Sequence, residues 1–264
     1  MRYIDAHCHI HFDSYESSRK EVLSRMEESD TGGILVGVDH ASSASAANLA
    51  GTEGRLWATV GLHPCYVKDE QYDENAYAEL LKLPYVVGVG ECGLDYYREE
   101  DPLVHQKQKD VFVAQLRLAA EHDMPLMIHA RPSKGTVDAY QDLIDIVQEY
   151  KQEYGKRLRG NVHFFVGGVA EMKALNSLDF TVSVTGVITF ASDYDEVVRE
   201  TPRDMLLVET DAPYATPVPH RGKTNEPIYV EHVVRRVAEI WGISDEKAAQ
   251  QLMSNAHRVF GLEK

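Results

Sequence analysis

The chain has 264 residues, 44% of them hydrophobic, which suits one large α/β domain or two small ones and excludes disorder. Its 27 basic and 42 acidic residues leave a net charge of −15, excluding an extended nucleic-acid groove that works by phosphate neutralisation alone. Only three cysteines occur, Cys8, Cys65 and Cys92, with no Cys-x-x-Cys pair, so neither a disulfide framework nor a structural zinc clasp is expected. No apolar run is long enough for a membrane span, and no signal-like hydrophobic region follows Met1, so the expected location is the cytoplasm.

Eight short β-like runs alternate with amphipathic helical stretches. In chain order they are Tyr3 to His9, Gly33 to Val38, Trp57 to Leu62, Val86 to Glu91, Leu126 to His129, Asn161 to Phe165, Phe180 to Val184 and Leu206 to Thr210. Between the fourth and fifth, Phe112, Leu116, Ala119 and Ala120 recur at helical spacing, and Pro125 requires that helix to have ended. Near the C-terminus Pro227 suits a first helical turn. Val230, Val233, Val234, Val237 and Trp241 form one stripe, Gly242 closes the helix, and Ser244 caps the next.

Candidate metal ligands stand at the ends of five of these runs. His7 and His9 share one face of an extended strand, and Cys8 points the other way. Glu91, His129, His163 and Asp211 follow at the fourth, fifth, sixth and eighth runs. A closed parallel barrel brings all those ends to one rim, whereas a doubly wound open sheet spreads them. The expected fold is therefore a (β/α)8 TIM barrel of the metal-dependent hydrolase type, with residues 1–264 as a single domain and no linker or repeat dividing them.

Four imidazoles and two carboxylates are too many for one tetrahedral ion and suit two divalent ions sharing a carboxylate. Glu91 lies midway in strand order between the pairs His7/His9 and His129/His163, so it is the expected bridge. Asp211 is expected to bind the first ion and to accept a proton from the attacking water. The ions are Mg²⁺, Mn²⁺ or Zn²⁺. Cys8 and Cys92 are expected to be small buried packing residues.

These residues resemble the TatD-like metal-dependent deoxyribonucleases of the amidohydrolase superfamily over essentially the whole chain. The resemblance runs through Asp5-Ala6-His7-Cys8-His9, Gly61-Leu62-His63-Pro64, Gly90-Glu91-Cys92-Gly93-Leu94-Asp95-Tyr96, Pro125 to Arg131, Glu209-Thr210-Asp211-Ala212-Pro213-Tyr214 and Pro217 to Pro227. It implies a two-metal site of the six ligands, with His63 near the substrate and Arg221, Lys223 and Asn225 on a loop facing it. Phe164-Phe165-Val166-Gly167-Gly168 after His163 departs from the Cys-Phe-Ser-Gly that relatives often carry, which touches the loop contacts and not the ligand.

Six ligands and the basic Arg221/Lys223 loop, together with the resemblance, point to hydrolysis of phosphodiester bonds in DNA, and the acidic surface and short basic loop favour ends or single strands; no membrane and no obligate protein partner are expected. The alternative on the same scaffold is amide or ester hydrolysis, such as removal of an aminoacyl group from RNA. Many amidohydrolases bridge their metals with a carboxylated lysine at the fourth strand, and Glu91 stands there instead. Several polar residues keep two readings. His63 either caps a turn or faces substrate, Asp95 either closes an Asx turn or orients a ligand histidine, and Glu209 pairs with a histidine or an arginine. Arg131 holds a salt bridge or a phosphate. His11 is expected beyond the strand end and exposed. His40, His105, His122, His220, His232 and His257 are expected on the surface or on helices.

Overall fold

The computed structural model describes residues 1–262. Its eight strands are β1 (Tyr3–Cys8), β2 (Thr31–Val36), β3 (Leu56–Val60), β4 (Val86–Asp95), β5 (Leu126–Arg131), β6 (Gly160–Val162), β7 (Phe180–Val184) and β8 (Leu206–Val208). They pair in sequence order, every neighbour parallel. The ring nearly closes beyond the last strand, where Asp211 N–H donates to His7 O at 2.9 Å and His9 N–H to Ala212 O at 2.8 Å. It is a (β/α)8 barrel. Its strands are buried on both faces, which is why they read as continuous rather than alternating apolar runs.

The outer helices are α1 (Arg19–Glu28), α2 (His40–Thr52), α3 (Glu74–Leu81), α4 (Pro102–Glu121), α5 (Asp138–Tyr154), α6 (Val169–Ser177), α7 (Asp195–Glu200), α8 (Val230–Trp241) and α9 (Asp245–Phe260). The stripe read from Val230 to Val237 is buried in α8, which ends at Gly242 with φ 64°, and Ser244 caps α9 through Lys247 N–H. Ile4, Ile34, Trp57, Met127 and Leu207 come from five strands yet form one cluster, met by Ala256, Val259 and Phe260 of α9. The last helix therefore seals the core that these strands share.

The strand bounds differ from the sequence expectation mainly at β4. It runs on past Glu91 to Asp95, with an irregularity in its pairing to β5 between Val89 and Cys92. Two glycines permit this. A Cβ on Gly90 (φ 147°) would stand 2.2 Å from Met127 O, and one on Gly93 (φ 130°) would stand 2.1 Å from His129 O. Glu91 is thus inside a strand that hugs its neighbour on both sides of the carboxylate. No helix among the described residues is long and apolar enough to cross a membrane.

Candidate active site

The six expected ligands converge where the strands end. His7 is in β1 and His9 just beyond it, Glu91 is in β4, His129 is in β5, His163 directly follows β6, and Asp211 lies on the loop after β8. All but His129 are buried, and His129 is half-buried. Glu91 separates them into two sets. Its Oε2 lies 3.5 Å from His7 Nε2 and 4.0 Å from His9 Nε2, while its Oε1 lies 2.7 Å from His163 Nε2, 3.1 Å from His129 Nδ1 and 3.3 Å from His63 Nε2. Asp211 Oδ1 completes the first set, 3.5 Å from His9 Nε2 and 3.7 Å from His7 Nε2.

The donor atoms fit cations. His9 Nδ1 donates to the Val36 carbonyl at 2.8 Å, so the neutral ring presents a bare Nε2. That nitrogen stands 3.0 Å from His7 Nε2. Two lone pairs brought so close need a proton or a metal between them, and ligands about 2.0–2.1 Å from a zinc ion are separated by little more than this. His7 Nδ1 is buried without a partner. Three triads of donors lie within 4.8 Å of one another: His7, His9 and Asp211; His7, Glu91 and His163; His63, Glu91 and His129.

Electrostatics polarises the site around Glu91. Burial opposes its charge, but the imidazoles of His163 and His63 outweigh burial and hold the carboxyl well below its ordinary range. His163 is likewise raised well above the usual imidazole value, because Glu91 and Glu209 overcome its burial. His129 is raised against burial by hydrogen bonds to Asp95 and Glu91. His7, buried and facing His163, is pushed down to about 3, and burial lowers His63. In the metal-free site the shifts therefore favour the charged form at His129 and His163 and the neutral form at His7 and His63.

The surrounding residues fix the ligands. Asp95 fills both of its readings: Oδ1 accepts from Tyr97 and Arg98 N–H at 3.1 and 2.8 Å, closing an Asx turn, and Oδ2 takes the His129 Nε2 proton at 3.0 Å. Glu209 faces a histidine. Its Oε1 lies 3.5 Å from His163 Nδ1 and accepts from Phe164 N–H at 2.6 Å, while its Oε2 accepts from Ser183 Oγ at 2.6 Å. Asp5 accepts from Thr210 N–H at 2.8 Å and from His7 N–H at 3.2 Å, tying β1 to the loop that carries Asp211. From α4, Gln115 brackets Leu62 (2.8 and 2.9 Å) and Gln108 brackets Asp95 (2.9 and 3.1 Å), each pairing with both the N–H and the carbonyl. These glutamines are seven residues apart and so share a helix face.

A cleft of about 500 Å³ opens over the cluster, lined by His9, Glu91, His129, His163 and Asp211 and walled by Phe12, Cys65, Tyr66, Arg98, Arg131, Phe164 and Tyr214. A family model described as TatD related DNase matches residues 4–261. The chain belongs to that family. It is 34% identical over 260 residues to the uncharacterized metal-dependent hydrolase YabD of Bacillus subtilis, covering 97% of this chain and 98% of that protein. It is 31% identical over 258 residues to the 3′-5′ ssDNA/RNA exonuclease TatD of Pantoea ananatis, covering 94% and 95%. The crystal structure of YJJV, a TatD homolog from Escherichia coli, matches with a TM-score of 0.87 at 27% identity over 99% of both chains. This TatD-family chain is a metal-dependent hydrolase.

The remaining expected residues of this TatD-family site take varied places. His63 both caps and faces the cluster: its Nδ1 accepts from Cys65 N–H at 3.1 Å, and its Nε2 points at Glu91. Asn225 does not face the cleft. It is fully buried, donating to Thr210 O at 2.9 Å and Tyr214 O at 2.5 Å, because the loop folds its amide inward to satisfy backbone carbonyls. Arg221 donates to Thr216 O and lies over the Phe190 ring at 4.0 Å, and Lys223 is exposed; neither lines the cleft. His11, expected exposed, is buried at 4% relative accessibility against Phe12, with neither ring nitrogen partnered, and burial pushes it down to about 2. Cys8 and Cys92 are fully buried, and burial lifts the Cys65 thiol to about 11, so no cysteine offers a ready thiolate. The sequence reading missed Phe12, Tyr66 and Arg98. Arg98 had a signal, since it follows Asp95 by three in a Tyr-Tyr-Arg run.

Proposed function

We propose that the protein is a phosphodiesterase that cleaves DNA at ends or single strands, using two divalent ions bridged by Glu91. The observation that carries the reading is the division of Glu91, whose two oxygens face different sets of imidazoles. His7, His9 and Asp211 would hold one ion, and His129 and His163 the other. When bound, such ions polarise the phosphoryl oxygens and make a water nucleophilic near neutral pH. Mg²⁺, Mn²⁺ and Zn²⁺ are the candidates, and four imidazoles favour Zn²⁺.

The chain's own residues do the rest. Asp211, with Oδ1 turned to His7 and His9 and its carboxylate on the cleft wall, accepts the proton of the attacking water. His63, 3.3 Å from Glu91 Oε1 at the cleft wall, is placed to hydrogen-bond the substrate beside the bridge. Asp95, Glu209 and Asp5 hold the ligands in register so that none must reorganise when substrate arrives. The Pantoea ananatis relative, a 3′-5′ ssDNA/RNA exonuclease, supports a nucleic-acid substrate.

The test is a substrate screen with protein loaded with each metal: labelled single- and double-stranded DNA, RNA, and aminoacyl esters of RNA. Release of nucleotides from DNA, abolished in Asp211→Asn, is the expected result. Intact DNA with every metal sinks the reading, and cleavage of the aminoacyl ester alone replaces it with the ester-hydrolase alternative.

A further inference from the structure

The cleft contains a cation that the reaction above does not use. Arg131 is the last residue of β5, two beyond His129, and its side chain makes no hydrogen bond or ion pair among the described residues, although the chain has 42 acidic residues. Its guanidinium instead lies 4.1 Å from the ring centroid of Tyr97, which is 50% exposed. A guanidinium seated over a ring keeps its N–H donors free, and free paired donors are what recognise a phosphate with two parallel hydrogen bonds. Arg98 lines the same wall, its Nη1 3.0 Å from Asp95 Oδ2.

Position decides what this anion is. Two residues of parallel strand separate Arg131 from His129 by about 6.6 Å, at roughly 3.3 Å per residue. Both side chains leave the same face of β5 and both line the cleft, so the guanidinium stands on the wall beside the cluster and not within it, where the next phosphate of a bound strand passes. Tyr66 and Tyr214 line the same cleft while 41% and 57% exposed, which offers aromatic surface of the kind on which unpaired bases stack. A duplex keeps its bases stacked inside and cannot use them.

We infer that Arg131, seated over Tyr97 and flanked by Arg98, forms a second phosphate subsite, which grips the phosphate next to the one cleaved in a single-stranded nucleic acid. The inference rests on the phosphodiesterase reading of the same site. DNA and RNA share this chemistry, so both belong in the test.

The experiment compares decathymidylate and decauridylate with thymidine 5′-p-nitrophenyl phosphate, which has a single phosphodiester and no neighbouring phosphate. For Arg131→Ala the loss of kcat/KM on the decamers is expected to exceed the loss on the nitrophenyl ester by about tenfold or more, carried mainly by KM. Arg131→Lys, which keeps the charge without the fork, recovers part of it. Binding of labelled decamer is then measured against salt in the Asp211→Asn protein, with and without Arg131→Ala. Losing one phosphate contact lowers the slope of log affinity on log salt by about 0.7. Equal losses on long and short substrates, or an unchanged slope, overturn the subsite. Wild-type protein that cuts none of the three would end the phosphodiesterase reading instead, and the salt slope alone would then decide whether Arg131 grips a phosphate.

Discussion

Asp95 Oδ2 stands 3.0 Å from Nε2 of His129, and the other nitrogen of that ring stands 3.1 Å from Glu91 Oε1. Once the ring is neutral, the hydrogen bond to this carboxylate keeps the remaining proton on Nε2 and leaves Nδ1 as the lone pair that faces the centre of the site. Replacing Asp95 with Ala frees the ring to rotate and lets it adopt either tautomer. Metal affinity in the Glu91 Oε1 set is expected to fall about 10–100-fold, read by calorimetric titration with Zn²⁺ or Mn²⁺. An unaltered affinity would leave Asp95 as a turn residue only.

Metal binding should also depend on pH in a defined direction. His129 and His163 are raised above the ordinary imidazole value in the metal-free site, and both must be neutral to bind an ion. Affinity is therefore weakened below their raised values and gains as pH climbs through them, by about tenfold per pH unit for each proton released. Calorimetry in buffers of different ionisation enthalpy counts those protons. Affinity that is flat from pH 6 to pH 8, with no proton release, would contradict protonated histidines beside Glu91.

Asn225 is expected to act on stability first. Its side-chain amide satisfies Thr210 O and Tyr214 O and accepts from Glu226 N–H at 3.0 Å, while its backbone carbonyl accepts from Tyr15 Oη at 2.5 Å. Asn225→Ala leaves buried carbonyls unpaired at a cost of about 1–3 kcal/mol, measured by urea unfolding. Any loss of activity should follow from the loop of Asp211 and Tyr214 loosening. A stable Asn225→Ala protein with a selectively raised KM would restore this residue to the substrate side.

The same kind of test applies to Gly93. Its φ of 130° and the close approach of His129 O leave no room for a methyl group. Gly93→Ala is expected to cost at least about 3 kcal/mol from backbone strain and overpacking together, and to displace His129 from the cluster. Thermal unfolding and metal titration of the one variant read both effects.

The barrel and its rim were legible because they depend on local pattern. Continuous apolar runs mark strands buried on both faces, and each of five runs carries a polar residue at or near its end, which a closed barrel brings together. Strand alternation sufficed to put His7 and His9 on one side and Cys8 on the other. What escaped depends on tertiary packing. The extension of β4 past Glu91 follows from glycines that matter only against β5. Gln108 and Gln115 look like ordinary helix residues until α4 is laid against the turns at Asp95 and Leu62. His11 was expected exposed because the strand ends near it, yet the neighbouring Phe12 folds over it. Asn225 looked like part of a polar substrate loop, and only the folded loop shows its amide turned to the carbonyls of Thr210 and Tyr214. Arg131 stood between salt bridge and phosphate, and the structure gives it no carboxylate.

Whether Glu91 joins two ions, as proposed, is tested most directly by titration with Mn²⁺ followed by electron paramagnetic resonance. Two ions per chain and a spin-coupled spectrum are expected, with the coupling lost in Glu91→Ala. One ion per chain, or two that give an uncoupled spectrum unaffected by Glu91→Ala, would contradict the bridge.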